Sequence, residues 1–247
     1  MNTLLYILSA NILISLISFI GLITVSSAFF KSQKITQLLV SFAAGVLLAT
    51  AFLDILPEAL EGMDPHRALF YAMLGMIGAF FMERSLLWYH HHHEDSHDIQ
   101  PTTVLILIGD AVHNFIDGLA IAAAFLVSPA LGVTTVIAIV AHEIPQELAD
   151  FSILRHCGMN QRTALTWNFV SGLTAIVGGL VGYYVFQSSP SIIYGMLACT
   201  AGLFMYVSSA DLIPELHQSG VRSGWFAQSA LFLLGIGFIF LAGQFAH

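Results

Sequence analysis

Long apolar stretches alternate with short polar breaks along this chain. Eight stretches stand out, at about 4–28, 35–60, 67–89, 101–127, 130–156, 161–186, 191–217 and 224–246. A helix of about 20 residues crosses the hydrocarbon core of a bilayer. The pattern therefore predicts an all-α integral membrane protein of eight transmembrane helices, with one polytopic domain over residues 1–247. Two of the stretches are interrupted by polar groups. His113-Asn114-Phe115-Ile116-Asp117-Gly118 lies inside the fourth, and His142-Glu143-Ile144-Pro145-Gln146-Glu147 inside the fifth.

Hydrocarbon rejects such side chains unless a partner compensates them, most simply a metal ion. Their spacing fits that reading. If the chain between them forms two antiparallel helices turning near Pro129-Ala130, the pairs His113/Gln146 and Asp117/His142 share one midpoint, and each pair sits at one depth. His113 and Asp117 are four apart, as are His142 and Gln146, so each helix presents both groups on one face. Four candidate ligands converge. Pro57, Pro145 and Pro214 each remove a backbone donor and free the carbonyl four residues earlier, which in the fifth stretch is that of Ala141. Freed carbonyls are tolerated at depth where they line a cavity; the plainer reading is a kink that serves packing.

Composition settles the class. The chain is 57% hydrophobic and 9% charged, with a mean hydropathy of +0.83, against about 25% charged residues in a soluble domain. So little chain remains outside the bilayer that no soluble catalytic domain is expected, and the protein reads as a non-enzyme. The net charge of −8 comes partly from acidic residues within the stretches. It identifies no surface partner, and nothing suggests nucleic acid binding. The first stretch lacks a basic start and is too long for a signal-peptide core, so it reads as a retained helix. Cys157 and Cys199 are too few for a disulfide framework or a thiolate site.

The basic residues orient the chain. With both termini outside, Lys31, Lys34, Arg84, Arg155, Arg162 and Arg222 fall in or beside cytoplasmic connections, and Arg67 alone falls outside. In this orientation Asp54-Ile55-Leu56-Pro57-Glu58, in the outward-running second stretch, recurs as Asp211-Leu212-Ile213-Pro214-Glu215 in the inward-running seventh. Such a pairing is the mark of an inverted repeat. It predicts a 3+2+3 arrangement, with helices 1–3 and 6–8 flanking a central hairpin of helices 4 and 5. Asp54 and Glu58 then lie toward the outer face, and Asp211 and Glu215 toward the inner face, as steps on a transport path.

Neutral imidazole with carboxylate suits Zn2+ and other first-row divalent ions, whereas Ca2+ or Mg2+ favours oxygen alone. His113, Asp117 and His142 are the strong ligands by this criterion. Asn114, Glu143, Gln146 and Glu147 are candidates for a neighbouring or shared position. Asp110 and Asp150 are placed to orient a ligating histidine as outer acceptors. A further run, His90, His91, His92, His93 and His97 within residues 90–100, reads as a cytoplasmic chelating loop or, more plainly, as a solvated connector. Gly178 and Gly182 form a small-xxx-small pattern suited to close helix packing or to a dimer seam.

The two motifs resemble the signature helices of the ZIP family of divalent-metal transporters. The likeness extends to Gly109-Asp110, Asp150-Phe151, and Asn168-Phe169 with Ser171. It also includes the eight spans, the outward termini and the His-bearing cytoplasmic connection, so it covers essentially the whole chain. The resemblance implies zinc uptake, with Fe2+, Mn2+ or Cd2+ as further substrates, a homodimer embedded in membrane lipid, and alternating access by a bundle containing helices 4 and 5. The chain departs from the family at Gln146, where relatives carry His or a bridging Glu, at Ala149, often glycine, and at Ala175, where some members are acidic. These departures predict one well-occupied ion on His113, Asp117 and His142, and a weak or absent second. Short loops and the lack of an organelle signal point to a prokaryotic cytoplasmic membrane.

Rival readings fare worse. A zinc protease helix needs His-Glu-x-x-His, and Gln146 stands at the second histidine with Pro145 before it. A metal sensor has no need of carboxylates on both sides of the site. An exporter remains compatible with the motifs, which do not set direction.

Overall fold

The computed structural model describes residues 3–21, 33–91, 100–187, 189–218 and 224–244. Among these residues the structure is helical apart from short turns, with no strand. Helix α1 (Thr3–Ile17) tightens into a 3-10 turn at Ser18–Ile20. Helix α2 (Gln33–Ala49) continues through a π-helical segment, Thr50–Ile55, into α3 (Leu56–Gly62). Then come α4 (Pro65–His91), α5 (Gln100–Val127) and α6 (Pro129–His156). Helices α7 (Gln161–Gly172) and α8 (Thr174–Phe186) join through Leu173, itself helical. Helix α9 (Pro190–Tyr206) passes through a second π segment, Val207–Leu212, into α10 (Ile213–Gln218), and α11 (Trp225–Gln244) follows.

Local chemistry explains the boundaries. Ser128 caps α6 by accepting from the Leu131 amide at 3.1 Å, and Pro129 occupies the first turn, where its missing N–H costs nothing. The expected hairpin therefore turns at Ser128. At the far end of α6, Gly158 adopts φ 88° and the Met159 amide reaches back to the Leu154 carbonyl at 3.1 Å. This is a Schellman ending, which favours glycine. Asn160 then caps α7 through the Thr163 amide at 3.0 Å.

The two acidic-x-x-Pro-acidic copies share their backbone geometry. Each lies where a π segment meets a proline-bearing helix. The Leu56 amide bonds to the Ala51 carbonyl in the first copy, and the Ile213 amide to the Ser208 carbonyl in the second. Both are five-residue closures. In each, the proline one position later cannot donate, so the ladder widens locally instead of breaking.

Among the described residues six helices are long and apolar enough to cross a membrane: Thr3–Ile20, Lys34–Gly62, Ile106–Val127, Gln161–Phe186, Pro190–Leu212 and Trp225–Gly243. Helix α4 opens on His66 and Arg67, and α6 carries His142, Glu143, Glu147 and Asp150. Both have the length but are more polar. The most extensive contacts join α5 to α8, α9 to α4 and α11 to α2, so α1, α5, α6, α7 and α8 form one group and α2, α4, α9 and α11 another. The groups meet where α6 runs along α2 and α9 along α5.

Small residues permit the closest approaches. A Cβ on Gly118 would collide with the Ala175 carbonyl, and one on Gly178 with that of Phe115. Gly178 and Gly182 thus serve contact between α8 and α5 within one chain.

Candidate metal centre

Helices α5 and α6 face each other across a buried groove. His113 and Asp117 project from α5, and His142 and Glu143 from α6; all four are buried. They converge. The two Nε2 atoms of His113 and His142 lie 3.2 Å apart. Asp117 Oδ2 is 3.3 Å from His142 Nε2 and 3.7 Å from His113 Nε2. Glu143 Oε1 is 3.5 Å from His113 Nε2 and 3.7 Å from His142 Nε2. One ligand atom from each residue fits within 4.8 Å of all the others.

The hydrogen bonding around the cluster decides its chemistry. His142 Nδ1 lies 3.0 Å from the Ala138 carbonyl, which can only accept. The proton therefore sits on Nδ1, and the Nε2 lone pair points at Asp117 and His113. Both oxygens of Asp117 and both of Glu143 accept no hydrogen bond among the described residues. Buried polar atoms are nearly always satisfied. Here the unmet groups are carboxylate oxygens, and one from each residue faces the two imidazole Nε2 atoms, an arrangement that a divalent cation neutralises directly. Phe204 of α9 closes the site on one side, with its ring centroid 5.8 Å from that of His142.

A comparison with protein families matches residues 1–103 and 88–243 to the family described as ZIP Zinc transporter. The chain belongs to this family. Relatives resemble it over shorter regions. Zinc transporter ZIP6 of Homo sapiens is 38% identical over 150 residues, covering 58% of this chain and 20% of that protein. Zinc transporter ZIP10 of Homo sapiens is 43% identical over 117 residues, 47% of this chain and 14% of that one. Metal cation symporter ZIP8 of Rattus norvegicus is 45% identical over 114 residues, 46% of this chain and 24% of that one. The match thus spans between 14% and 24% of the length of these relatives. With family membership and six membrane-length apolar helices, it is a multi-pass membrane protein.

The ZIP motif residues divide into groups. The fourth member of the convergent set is Glu143, which the sequence reading placed at a neighbouring or shared position. Gln146, one turn further along α6, is half-buried. Asn114 donates to Asp110 Oδ1 at 2.8 Å, and Glu147 accepts from Ser18 and from Asn168. The expectation that Asp110 or Asp150 orients a histidine needs correction at His142. The Ala138 carbonyl does that, because a helical histidine reaches the carbonyl one turn back without a partner from another helix. Asp110 instead accepts from Asn114 and Ser171, and Asp150 is half-buried.

Asp54 and Glu58 line a cavity of about 500 Å³ together with Glu61, Ser128 and Thr134. Asp211 is exposed and lies beside Glu83. Glu83 in turn accepts from the Tyr206 hydroxyl at 2.6 Å. The Glu215 side chain, and the side chains of His90, His91, His92, His93 and His97, lie outside the described residues. Sequence reasoning missed Ser18, Glu61, Glu83 and Tyr206. Glu83 carried a signal, an acid within an apolar run, whereas a serine in a membrane helix stands out from nothing.

Proposed function

We propose that this protein carries divalent transition-metal ions, zinc foremost, across a membrane and into the cytoplasm by alternating access. The observation that carries the reading is the cluster of His113, Asp117, His142 and Glu143, buried between two helices with all four carboxylate oxygens lacking a hydrogen-bond donor among the described residues. Family membership supports the same chemistry. The ion is cargo: mixed nitrogen and oxygen ligands hold it, and Asn114, Gln146 and Glu147 flank them. Fe2+, Mn2+ or Cd2+ as the main substrate is the alternative the donor set allows.

The reading takes the chain as one domain of eight membrane helices in a 3+2+3 inverted repeat, with both termini outside. The matching π segments before Pro57 and Pro214 support the repeat. The cavity at Asp54, Glu58 and Glu61 borders the Ser128–Pro129 turn, the outer end of the hairpin in this orientation, and serves as the vestibule. Asp211 and Glu215 mark the opposite end of the path. The histidine run at 90–97 receives or senses metal in a cytoplasmic loop. A homodimer in a prokaryotic cytoplasmic membrane completes the proposal.

Purified protein in proteoliposomes tests it, with uptake of Zn2+, Fe2+, Mn2+ and Cd2+ compared and His113→Ala as control. Saturable zinc uptake, lost in the variant, is expected. No uptake of any ion, or equal uptake by the variant, overturns the reading.

A further inference from the structure

Glu147 sits one turn beyond Glu143 on α6 and is buried, but it does not reach the metal cluster. Both of its oxygens are engaged. Ser18, on the 3-10 turn that closes α1, donates to Oε1 at 2.5 Å, and Asn168 of α7 donates through Nδ2 to Oε2. Three further bonds lie in the same layer. Ser171 of α7 donates to Asp110 Oδ2 on α5, Ser15 of α1 donates to the Gly172 carbonyl at 2.7 Å, and Thr174 of α8 donates to the Ala111 carbonyl at 2.6 Å. Together they form a polar seam that joins the site-bearing hairpin to α1 and to the α7–α8 rod. Separately, Phe19 stacks on Phe169 with ring centroids 4.6 Å apart, which presses the α1 turn onto α7.

Both oxygens of Glu147 are turned to α1 and α7, and neither joins the convergent set of His113, Asp117, His142 and Glu143. Turning the side chain toward that set would break both bonds and leave the buried donors of Ser18 and Asn168 without partners. We propose that Glu147 is a positioning residue and not a metal ligand: through Ser18 and Asn168 it seats α6 against α1 and α7. The seam then governs how fast the loaded hairpin changes its access, while His113, Asp117, His142 and Glu143 govern how tightly the ion is held. This assignment rests on the transport reading above.

The test uses full-length protein with the variants Ser18→Ala, Asn168→Ala, Glu147→Gln and Glu147→Ala. Zinc affinity and stoichiometry are measured in detergent by chelator competition, and uptake is measured in proteoliposomes per zinc-binding-competent molecule. Normalising in this way removes losses from misfolding. Glu147→Ala and the double variant Ser18→Ala/Asn168→Ala should lower the maximal rate at least tenfold, with KM and zinc affinity within threefold of the unmodified protein. Glu147→Gln keeps an acceptor and should recover part of that rate. A tenfold loss of zinc affinity or a lower stoichiometry in Glu147→Ala makes Glu147 a ligand and overturns the proposal. Unchanged rates in all the variants overturn it too. If the unmodified protein binds zinc but transports nothing, the transport reading fails, and the binding data still decide whether Glu147 is a ligand.

Discussion

His113 and His142 meet across the hairpin with their Nε2 atoms 3.2 Å apart, and each ring also faces the carboxylates of Asp117 and Glu143. The polar contacts of both Nε2 atoms are all with members of this cluster among the described residues. Replacing either with alanine removes one of four convergent groups and should weaken zinc binding at least about tenfold, the lower end of what losing even an outer-shell partner costs. Calorimetric titration of the purified protein measures this. Unchanged affinity in both variants would exclude the cluster as the site.

Gln146 lies on α6 one turn from His142, where an amide contributes a neutral donor set. Gln146→His supplies imidazole, a stronger ligand for zinc. Tighter binding with a lower maximal uptake rate is expected, because a transport site must release what it captures. Faster uptake at saturating zinc would show that release does not limit the cycle.

Zinc requires neutral imidazole and ionised carboxylate, so protons compete with it for the same atoms. Lowering the pH adds protons to the empty site and weakens binding; raising it has the opposite sign. Zinc affinity should therefore fall as the pH is lowered, as calorimetric titration at a series of pH values measures. Affinity that rises as the pH is lowered would be incompatible with two histidine ligands.

Gly118 lets α5 approach the backbone of α8, with the Ala175 carbonyl where a Cβ would stand. A backbone atom cannot swing aside as a side chain can. Gly118→Leu should destabilise the protein by about 1–3 kcal/mol, visible as a lower thermal-shift midpoint in detergent. Gly78, with nothing within 4 Å of its would-be Cβ, is the internal control, and Gly78→Ala should melt like the unmodified protein.

The cavity beside the hairpin turn gathers Asp54, Glu58 and Glu61 around about 500 Å³. Clustered negative charge raises the local concentration of a cation. Neutralising Asp54 and Glu58 together, as Asn and Gln, should raise the KM for zinc several-fold with little change in maximal rate. The effect should shrink as salt is added, because screening already weakens the attraction. A fall in maximal rate at unchanged KM would place these residues in a later step.

Much of this was visible in the chain before any fold was known. The turn at Ser128 follows from a serine cap and Pro129, and the four-residue spacing of His113 and Asp117 puts both on one helix face. The equal-depth argument brings Asp117 and His142 together, and they lie 3.3 Å apart. It does not anticipate Glu143. Depth along the helix was the only coordinate available, and a point in the groove between two helices is reached by neighbours on either side of the facing line. Glu143 follows His142 directly and reaches the same point from that flank.

The sequence by itself determined the helices, the hairpin and the chemical type of the site. Those depend on apolar run length, caps and residue identity, all local properties. Only the tertiary structure decided which motif residues converge on one buried point and which bond to neighbouring helices. Glu147 has the same ligating atoms as its neighbours, but Ser18 and Asn168 take up both of its oxygens, whereas Asn114 gives only its amide N–H to Asp110 and keeps Oδ1 without a partner among the described residues. Ser18 is more than a hundred residues from Glu147 in the chain, and α1 and α6 meet only when the bundle closes. Whether a buried oxygen is free to bind metal depends on the neighbours that packing brings to it.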